Sequence, residues 1–161
     1  GNSLHLKQYT ATGAPTLVST VDVPTTGCTP LIDVGNSTAV GHITRSADRD
    51  FIIVPGYVTS IGGLTALAGS NGTVINRGIG RVDASGNYSL ATRSTTALSG
   101  QNIRGAVSDG SNNFWGSGSS QGIFYFGTGT PALVTNSPIQ NTRAMKINNG
   151  NLYFSSASAC A

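Results

Sequence analysis

Apolar and polar residues alternate along short segments of this chain, and clusters of Gly, Asn, Asp and Ser separate the segments. A period of two is typical of β-strands, and such clusters are typical of tight turns. The stretch "NIRGAVSDGSNNFW", Asn102 to Trp115, has a strand, a turn and an aromatic strand. It recurs 39 residues later as "NTRAMKINNGNLYF", Asn141 to Phe154. The pattern therefore predicts repeated β-hairpins.

A third copy of this hairpin lies upstream in "HITRSADRDFIIVPGY", His42 to Tyr57. The segment 59–78 that follows is rich in Gly and small residues, and we interpret it as an insertion loop. Hairpins of a second type alternate with the first and span 6–23, 80–94 and 123–137, with Pro15 matching Pro131 at an offset of 116. We call hairpins of the first type inner hairpins and those of the second type outer hairpins. The two types alternate three times along the chain, beginning with an outer hairpin.

A period near 40 residues with four short strands per unit is typical of a β-propeller, in which each blade covers the faces of its neighbours. We therefore predict an all-β fold, a partial β-propeller of about three four-stranded blades that starts and ends in the middle of a blade. Propellers close with about four to eight blades. Residues 1–161 would accordingly be a single propeller-type domain or a fragment of a larger propeller. A β-sandwich or a β-solenoid built from the same hairpins is the alternative.

The amino-acid composition limits the classes of binding partner that are expected. Charged residues make up 9% of the chain and hydrophobic residues 38%, so a folded, turn-rich domain is expected rather than a disordered segment. The net charge is +3, but Lys and Arg form no run that would follow phosphates, so nucleic acid is not an expected partner. No stretch approaches the length needed to cross a bilayer, so membrane insertion is not expected either. The open half-blades instead predict self-association, or pairing with the rest of a longer chain.

Cys28 and Cys160 are the two cysteines, and their even number without a CxxC spacing predicts one structural disulfide in an oxidising compartment. The alternative is two unpaired buried thiols. Asn36, Asn71 and Asn87 each begin an N-x-[ST] sequon and are candidate glycosylation sites. Because Ser and Thr are frequent in this chain, about three sequons are expected by chance, and the signal is weak.

Candidate catalytic groups lack partners in the sequence. "GSSQG" places Ser120 in a G-x-S-x-G pattern, but a strand rather than the required helix follows it. His5 and His42 stand 37 residues apart with no acidic ligand cluster beside them, so neither a metal site nor a histidine base is expected. We predict a protein without enzymatic activity and without a cofactor.

Arginines and aromatic residues recur at equivalent positions of the inner hairpins. The repeated arginines could line a central channel and attract anions, although a residue present in every unit more often serves the unit itself. The repeated aromatic residues are expected to pack between blades, and an exposed subset could stack on sugars. At the 39-residue offset, Phe114 matches Tyr153 and Trp115 matches Phe154. The repeat residues are Arg45, Arg104, Arg143, Phe51, Phe114, Trp115, Tyr153 and Phe154.

The strings "TRSADRDFIIVPGY", "GRVDASGNYSLATRSTTALSGQNIRGAVSDGSNNFWGSG" and "NTRAMKINNGNLYFSSAS" resemble successive segments of a β-propeller family found in secreted, often multidomain proteins of bacteria and some algae. The resemblance covers 4–158 and implies the fold and an extracellular or cell-surface setting. It brings no catalytic residues. Where that family usually has Asp-Gly, this chain has Asp48-Arg49, so we expect a turn that does not demand glycine. Cys28 and Cys160 are outside the family pattern.

These observations leave two functional classes. The first is a non-catalytic extracellular module, part of a cell-surface, appendage or matrix assembly, that presents rigid surfaces and completes blades with a partner. The second is a carbohydrate-binding, lectin-like propeller.

Overall fold

A computed structural model describes residues 1–63, 66–135 and 139–157. Within these ranges the chain forms β-strands joined by turns and no helix, which confirms the all-β prediction. The strands are β1 (Asn2–Ser3), β2 (His5–Tyr9), β3 (Leu17–Asp22), β4 (Ile32–Asp33), β5 (Thr44–Arg45), β6 (Phe51–Val58), β7 (Asn76–Asp83), β8 (Tyr88–Ser94), β9 (Ile103–Ser108), β10 (Phe114–Gly118), β11 (Ile123–Tyr125), β12 (Ala132–Leu133), β13 (Thr142–Asn148) and β14 (Asn151–Ser156).

The strands form four antiparallel sheets. Sheet 1 has the order β1-β4-β6-β7-β8, and β5 pairs with the same edge of β6 as β4. Sheet 2 has the order β12-β11-β10-β9. Strands β2 and β3 form a separate first hairpin, and β13 and β14 form a last hairpin. Chain neighbours therefore pair with one another, as the hairpin pattern predicts.

Sheet 1 is apolar on both faces. Ile53 and Tyr57 of β6 pack with Phe114 and other side chains of sheet 2. Val54, which follows Ile53 and points to the opposite face, packs with Leu6 of the first hairpin. Because β6 is apolar at successive positions, both of its faces are buried.

Sheet 2 is also covered on both faces. Phe114 faces sheet 1, whereas its neighbour Trp115 packs against the last hairpin. Val107 of sheet 2 and Met145 of the last hairpin lie in the same buried cluster. The four sheets are accordingly stacked in the order first hairpin, sheet 1, sheet 2, last hairpin.

Backbone contacts also join the successive sheets. His42, just before β5, bridges Gly105 of β9 in a parallel orientation, and the His42 amide donates to the Arg104 carbonyl at 3.2 Å. On the other side of sheet 2, Ser117 Oγ donates to the Arg143 carbonyl at 2.8 Å. A Cβ on Gly105 would lie 2.5 Å from the same Arg143 oxygen, so glycine is what permits this approach.

The strand registers show that the two copies of the inner hairpin are not aligned at one constant offset. Both inner hairpins shift register at equivalent pairs, Gly118 with Ile103 and Ser156 with Thr142, so their first strands match at an offset of 39 and their second strands at 38. The cause is the turn: five residues separate the paired Ser108 and Phe114, but only four separate the equivalent pair Ile147 and Leu152. The prediction that Phe114 matches Tyr153 and Trp115 matches Phe154 is therefore wrong by one residue. Leu152 corresponds to Phe114, and Tyr153 to Trp115.

The expectation that the repeated aromatic residues are core is only partly correct. Phe114 is buried, and Phe51, Trp115 and Phe154 are half-buried against neighbouring sheets. Tyr153 instead is 57% exposed, because it lies on the face of the last hairpin that points away from sheet 2.

The turn between β5 and β6 also departs from expectation. Arg49 has a φ of +75°, in the left-handed region that glycine favours, so the prediction of a turn with no demand for glycine is wrong. Ser46 and Asp48 stabilise this turn: Ser46 Oγ donates to Asp48 Oδ1 at 2.5 Å, and the Phe51 amide donates to Ser46 Oγ at 3.0 Å.

The segment interpreted as an insertion loop takes part in the core. Leu67 and Ile75 are buried between the two sheets, and β7 begins at Asn76, so the last three residues of 59–78 belong to that strand. Leu64 and Thr65 lie outside the described residues.

Arg77 of β7 is fully buried and fastens this segment to sheet 2. Its guanidinium donates to the carbonyls of Ala68 and Ile75, each at 2.8 Å, and to the Gln101 carbonyl at 2.9 Å. The same group lies 5.1 Å from the centre of the Tyr57 ring. Burial lowers the pKa of Arg77, but the carbonyls supply the acceptors that a buried cation requires.

We expect Arg77→Met to lower the free energy of unfolding by about 3 kcal/mol or more, because three buried carbonyls lose their donor while the side-chain volume is nearly kept. Urea unfolding would measure this loss. Arg93→Met is the matched control, since Arg93 is exposed on β8, and it should change stability by no more than about 0.5 kcal/mol. Equal effects of the two substitutions would contradict a structural role for Arg77.

Asp33 of β4 carries a buried carboxyl group. It is 6% exposed, and its Oδ1 accepts the Val34 amide at 2.7 Å. Burial raises the pKa of Asp33 from 3.8 to about 6, and the Val34 hydrogen bond opposes the rise. Burial also raises the pKa of the nearby Tyr57 to about 12. The folded state therefore favours the neutral form of Asp33.

Because the folded pKa of Asp33 exceeds its unfolded value, stability should fall as the pH rises from about 4 through about 6. Asp33→Asn keeps the oxygen that accepts from Val34 and removes this dependence. We expect the variant to match the parent protein at pH 3.5 and to exceed its free energy of unfolding by up to about 3 kcal/mol at pH 7. A constant difference between the two pH values, measured by urea unfolding, would contradict this origin.

Candidate groove and free strand edges

A groove of about 1340 Å³ lies between the first hairpin and sheet 1. Its apolar lining comes from Leu6 on one side and Ile52, Val54 and Tyr88 on the other. The segment around β5 contributes Ile43, which is 55% exposed, so the groove extends to the β5 side of sheet 1. Burial raises the pKa of Tyr88.

The groove carries balanced charge. Asp22, Asp50 and Asp83 line it together with Lys7, Arg45 and Arg49. Hydrogen bonds from the side chain and backbone of Asn87 lower the pKa of Asp83, and Arg45 Nε donates to the Arg49 carbonyl at 2.9 Å. Arg45 thus stabilises its own turn.

Several strands have a single strand partner within the described ranges, and β2 and β14 in the two separate hairpins are among them. β2 pairs only with β3, and β14 pairs only with β13. Large apolar side chains are exposed near both: Tyr9 is 50% exposed and Leu17 is 54% exposed on the first hairpin, and Tyr153 is 57% exposed on the last. Unpaired edges flanked by exposed apolar side chains are typical of strand-pairing surfaces.

A Ser-His-Asp chain at the first hairpin is absent from the sequence-based expectations. Ser3 Oγ lies 2.7 Å from His5 Nε2, and Asp22 Oδ1 lies 2.6 Å from His5 Nδ1. Strand pairing places Asp22 opposite His5, so His5 has an acidic neighbour that the sequence alone does not reveal. In a working triad the aspartate is buried. Here the side chains of His5 and Asp22 are 48% and 74% exposed, so water screens the pair.

We therefore expect no serine-dependent esterase activity. Incubation with p-nitrophenyl acetate should give the same rate for the parent protein and for Ser3→Ala, because a solvated His-Asp pair activates the hydroxyl weakly. Ser19→Ala serves as a control on the same hairpin, since Ser19 bonds Gln8 instead. A burst of nitrophenolate that disappears only in Ser3→Ala would contradict this expectation.

The remaining candidate groups have structural surroundings. Ser120 is exposed in the turn between β10 and β11, and its amide donates to Gln101 Oε1 at 2.6 Å. His42 Nε2 is buried, with no hydrogen-bond partner among the described residues. The ranges 1–63, 66–135 and 139–157 bring no group of three His, Cys, Asp or Glu side chains together as a metal site would require.

Two of the three repeated arginines converge. Arg104 Nη1 donates to Asn141 Oδ1, and Arg143 Nη2 lies 3.5 Å from the same oxygen. Burial lowers the pKa of Arg104, and the charge of Arg143 lowers it further. Arg104 therefore links sheet 2 to the segment that leads into β13, whereas Arg45 lies apart in the groove.

The candidate modification sites are partly described. Asn36, Asn71 and Asn87 are all exposed, as an acceptor requires, and Asn87 Nδ2 donates to Asp83 Oδ2 at 3.0 Å. Cys28 is exposed and forms no disulfide within the described part of the chain. Cys160 lies outside the described residues, so the disulfide stays a prediction.

No family model matches this chain, and neither does any curated protein or solved structure. Among the described residues, no helix has the length and apolar character that crossing a membrane would take.

Proposed function

We propose that this chain is a non-catalytic extracellular module that builds an assembly by completing four-stranded blades at its two ends. In this proposal the fold is a partial β-propeller. Strands β5–β8 form one blade and β9–β12 a second. The first hairpin is the outer half of a further blade, and the last hairpin is the inner half of another.

The stacking of the sheets supports this architecture. Sheet 2 has both faces covered, by sheet 1 and by the last hairpin, and sheet 1 is covered by sheet 2 and in part by the first hairpin, in the manner of successive blades. His42, two residues before β5, and Gly105 of β9 meet in a parallel orientation, which fits innermost strands that run in the same direction around an axis. The extracellular setting rests on the family resemblance and is consistent with exposed sequons.

The observation that carries the proposed function is the pair of free edges on β2 and β14, each flanked by exposed apolar side chains. An edge strand of this kind exposes backbone donors and acceptors that another strand can satisfy. Chains that meet through such edges gain main-chain hydrogen bonds and cover apolar surface together.

Sedimentation velocity tests the proposal. We expect the average mass to rise with concentration for the parent protein and for Lys7→Ala, but not for Lys7→Pro. The Leu4 carbonyl accepts the Val23 amide within the first hairpin, so strand alternation turns the Lys7 amide outward. Proline therefore removes a donor from the free edge without removing one from the hairpin. A strictly monomeric parent protein at all concentrations would overturn the proposal.

The second candidate function is carbohydrate binding in the groove, where Tyr88 and Phe51 lie beside Asp22, Asp50 and Asp83. An aromatic ring can stack on a sugar while neighbouring carboxylates accept hydrogen bonds from the sugar hydroxyls. A glycan array separates the two functions, because a lectin binds a sugar saturably whereas an assembly module does not.

A further inference from the structure

We propose that the groove and the edge of β2 receive the last hairpin of a second copy of this chain, with Tyr153 opposite Gln8 and Phe154 opposite Lys7. This inference rests on the proposed function and names its partner. The second copy would bring β14 beside β2, so that β13, β14, β2 and β3 form one four-stranded sheet shared by two chains.

The shapes of the two ends agree with this pairing. The first hairpin covers only part of its face of sheet 1, and the groove marks the uncovered part. On this face of sheet 1, the uncovered part lies on the β5 side and has room for two strands. On sheet 2 that position is filled by the last hairpin, which packs Met145 and Leu152 against Val107. One end of the chain thus carries the element that the other end lacks.

The register follows from β10 and β11, where Trp115 lies opposite Tyr125 and Gly116 lies opposite Phe124. The second strands of the inner hairpins match at an offset of 38, so Tyr153 corresponds to Trp115 and Phe154 to Gly116. These two residues fix the β14 side of the new pairing.

The β2 side is fixed by the faces of the strands. Ile123 of β11 packs on the following layer, as Leu6 of β2 packs on sheet 1. Matching Leu6 to Ile123 requires an offset of 117 residues, which is three times the 39-residue repeat. The match of Pro15 to Pro131 would instead give an offset of 116. Tyr125 then corresponds to Gln8, and Phe124 to Lys7.

The hydrogen-bonding pattern agrees independently. The Lys7 amide points away from β3. In the last hairpin, Asn148 and Asn151 flank a two-residue turn and bond inward, so alternation turns the Phe154 amide outward. Phe154 and Lys7 would form a bonded pair, and Tyr153 and Gln8 the adjacent non-bonded pair.

The exposed side chains would be covered. Tyr153 would enter the groove beside Ile52 and Val54 of the second copy, and Tyr9 would take the place that Phe126, which is 1% exposed, holds in sheet 2. The last hairpin carries Arg143 and Lys146 and no carboxylate, and the groove's equal numbers of cationic and anionic residues do not repel it.

A second copy also satisfies closure. One chain contains two four-stranded units and two halves, which makes three units in all. Two chains joined at both ends make six, within the range of about four to eight blades in which propellers close. The contact is head-to-tail, so a ring forms only if the rotation closes.

Interchain crosslinking tests the register. One chain carries Gln8→Cys and another Tyr153→Cys, both in a background of Cys28→Ser and Cys160→Ser. Oxidation of the mixture should give a covalent heterodimer, because residues of a non-bonded pair lie within disulfide reach. The matched control replaces Gln8→Cys by Lys7→Cys, whose side chain lies on the opposite face, and should give about tenfold less crosslink.

The outcomes separate the two proposals. Association with selective crosslinking of Gln8→Cys to Tyr153→Cys, and a limiting mass of two chains, supports the inference. Association with no selectivity between Gln8→Cys and Lys7→Cys overturns the paired register and leaves the proposed function standing. A series of ever larger oligomers overturns the two-copy ring. A protein that remains monomeric at every concentration overturns both proposals.

Discussion

The structure depends on the fact that its sheets are apolar on both faces. β6 alternates between side chains that pack on sheet 2 and side chains that pack toward the first hairpin, and β10 alternates in the same way between sheet 1 and the last hairpin. A sheet of this kind gains no stability alone, because whichever face is left in water loses the free energy of burial. Stacking therefore continues until a layer carries a polar face or meets a partner.

Within the stack, the long segment between β6 and β7 has a structural role that its composition conceals. A Gly-rich stretch of small residues is usually a surface excursion, yet here Leu67 and Ile75 fill space between two sheets, and Arg77 bonds three carbonyls from both sides of the interface. Within the part of the chain that the structure describes, no carboxylate forms an ion pair with this cation. Its guanidinium supplies fixed hydrogen-bond donors to backbone carbonyls that would otherwise be buried without a partner.

Strand pairing was largely predictable from the sequence, because period-two alternation and turn residues act locally. The fully apolar β6, "FIIVPGYV", and the aromatic "FW" of β10 were identified as second strands of hairpins, and both are. The register of the last hairpin was not predictable, since four residues replace five between equivalent paired positions while the flanking letters still align at 39. The sequence match concealed that difference.

Features that depend on distant residues were also beyond reach. Arg77 looked like one of several arginines beside a glycine, and only the fold brings Ala68 and Gln101 to it. The Ser3–His5–Asp22 chain arises from cross-strand pairing over 17 residues. One local signal was available and missed: "DASGN" and "DGSNN" both place Asp at the first and Asn at the fifth position of a turn. In both turns the carboxylate accepts from Ser and Asn.

The parallel meeting of the segment before β5 with β9 gives the stack a direction. The two faces of each layer differ, so the end of the stack at the first hairpin differs from the end at the last hairpin. A contact between the first hairpin of one copy and the last hairpin of another would join two unlike surfaces, so it would repeat in one direction. The angle between successive copies would then decide whether the series closes into a ring or continues as an open filament.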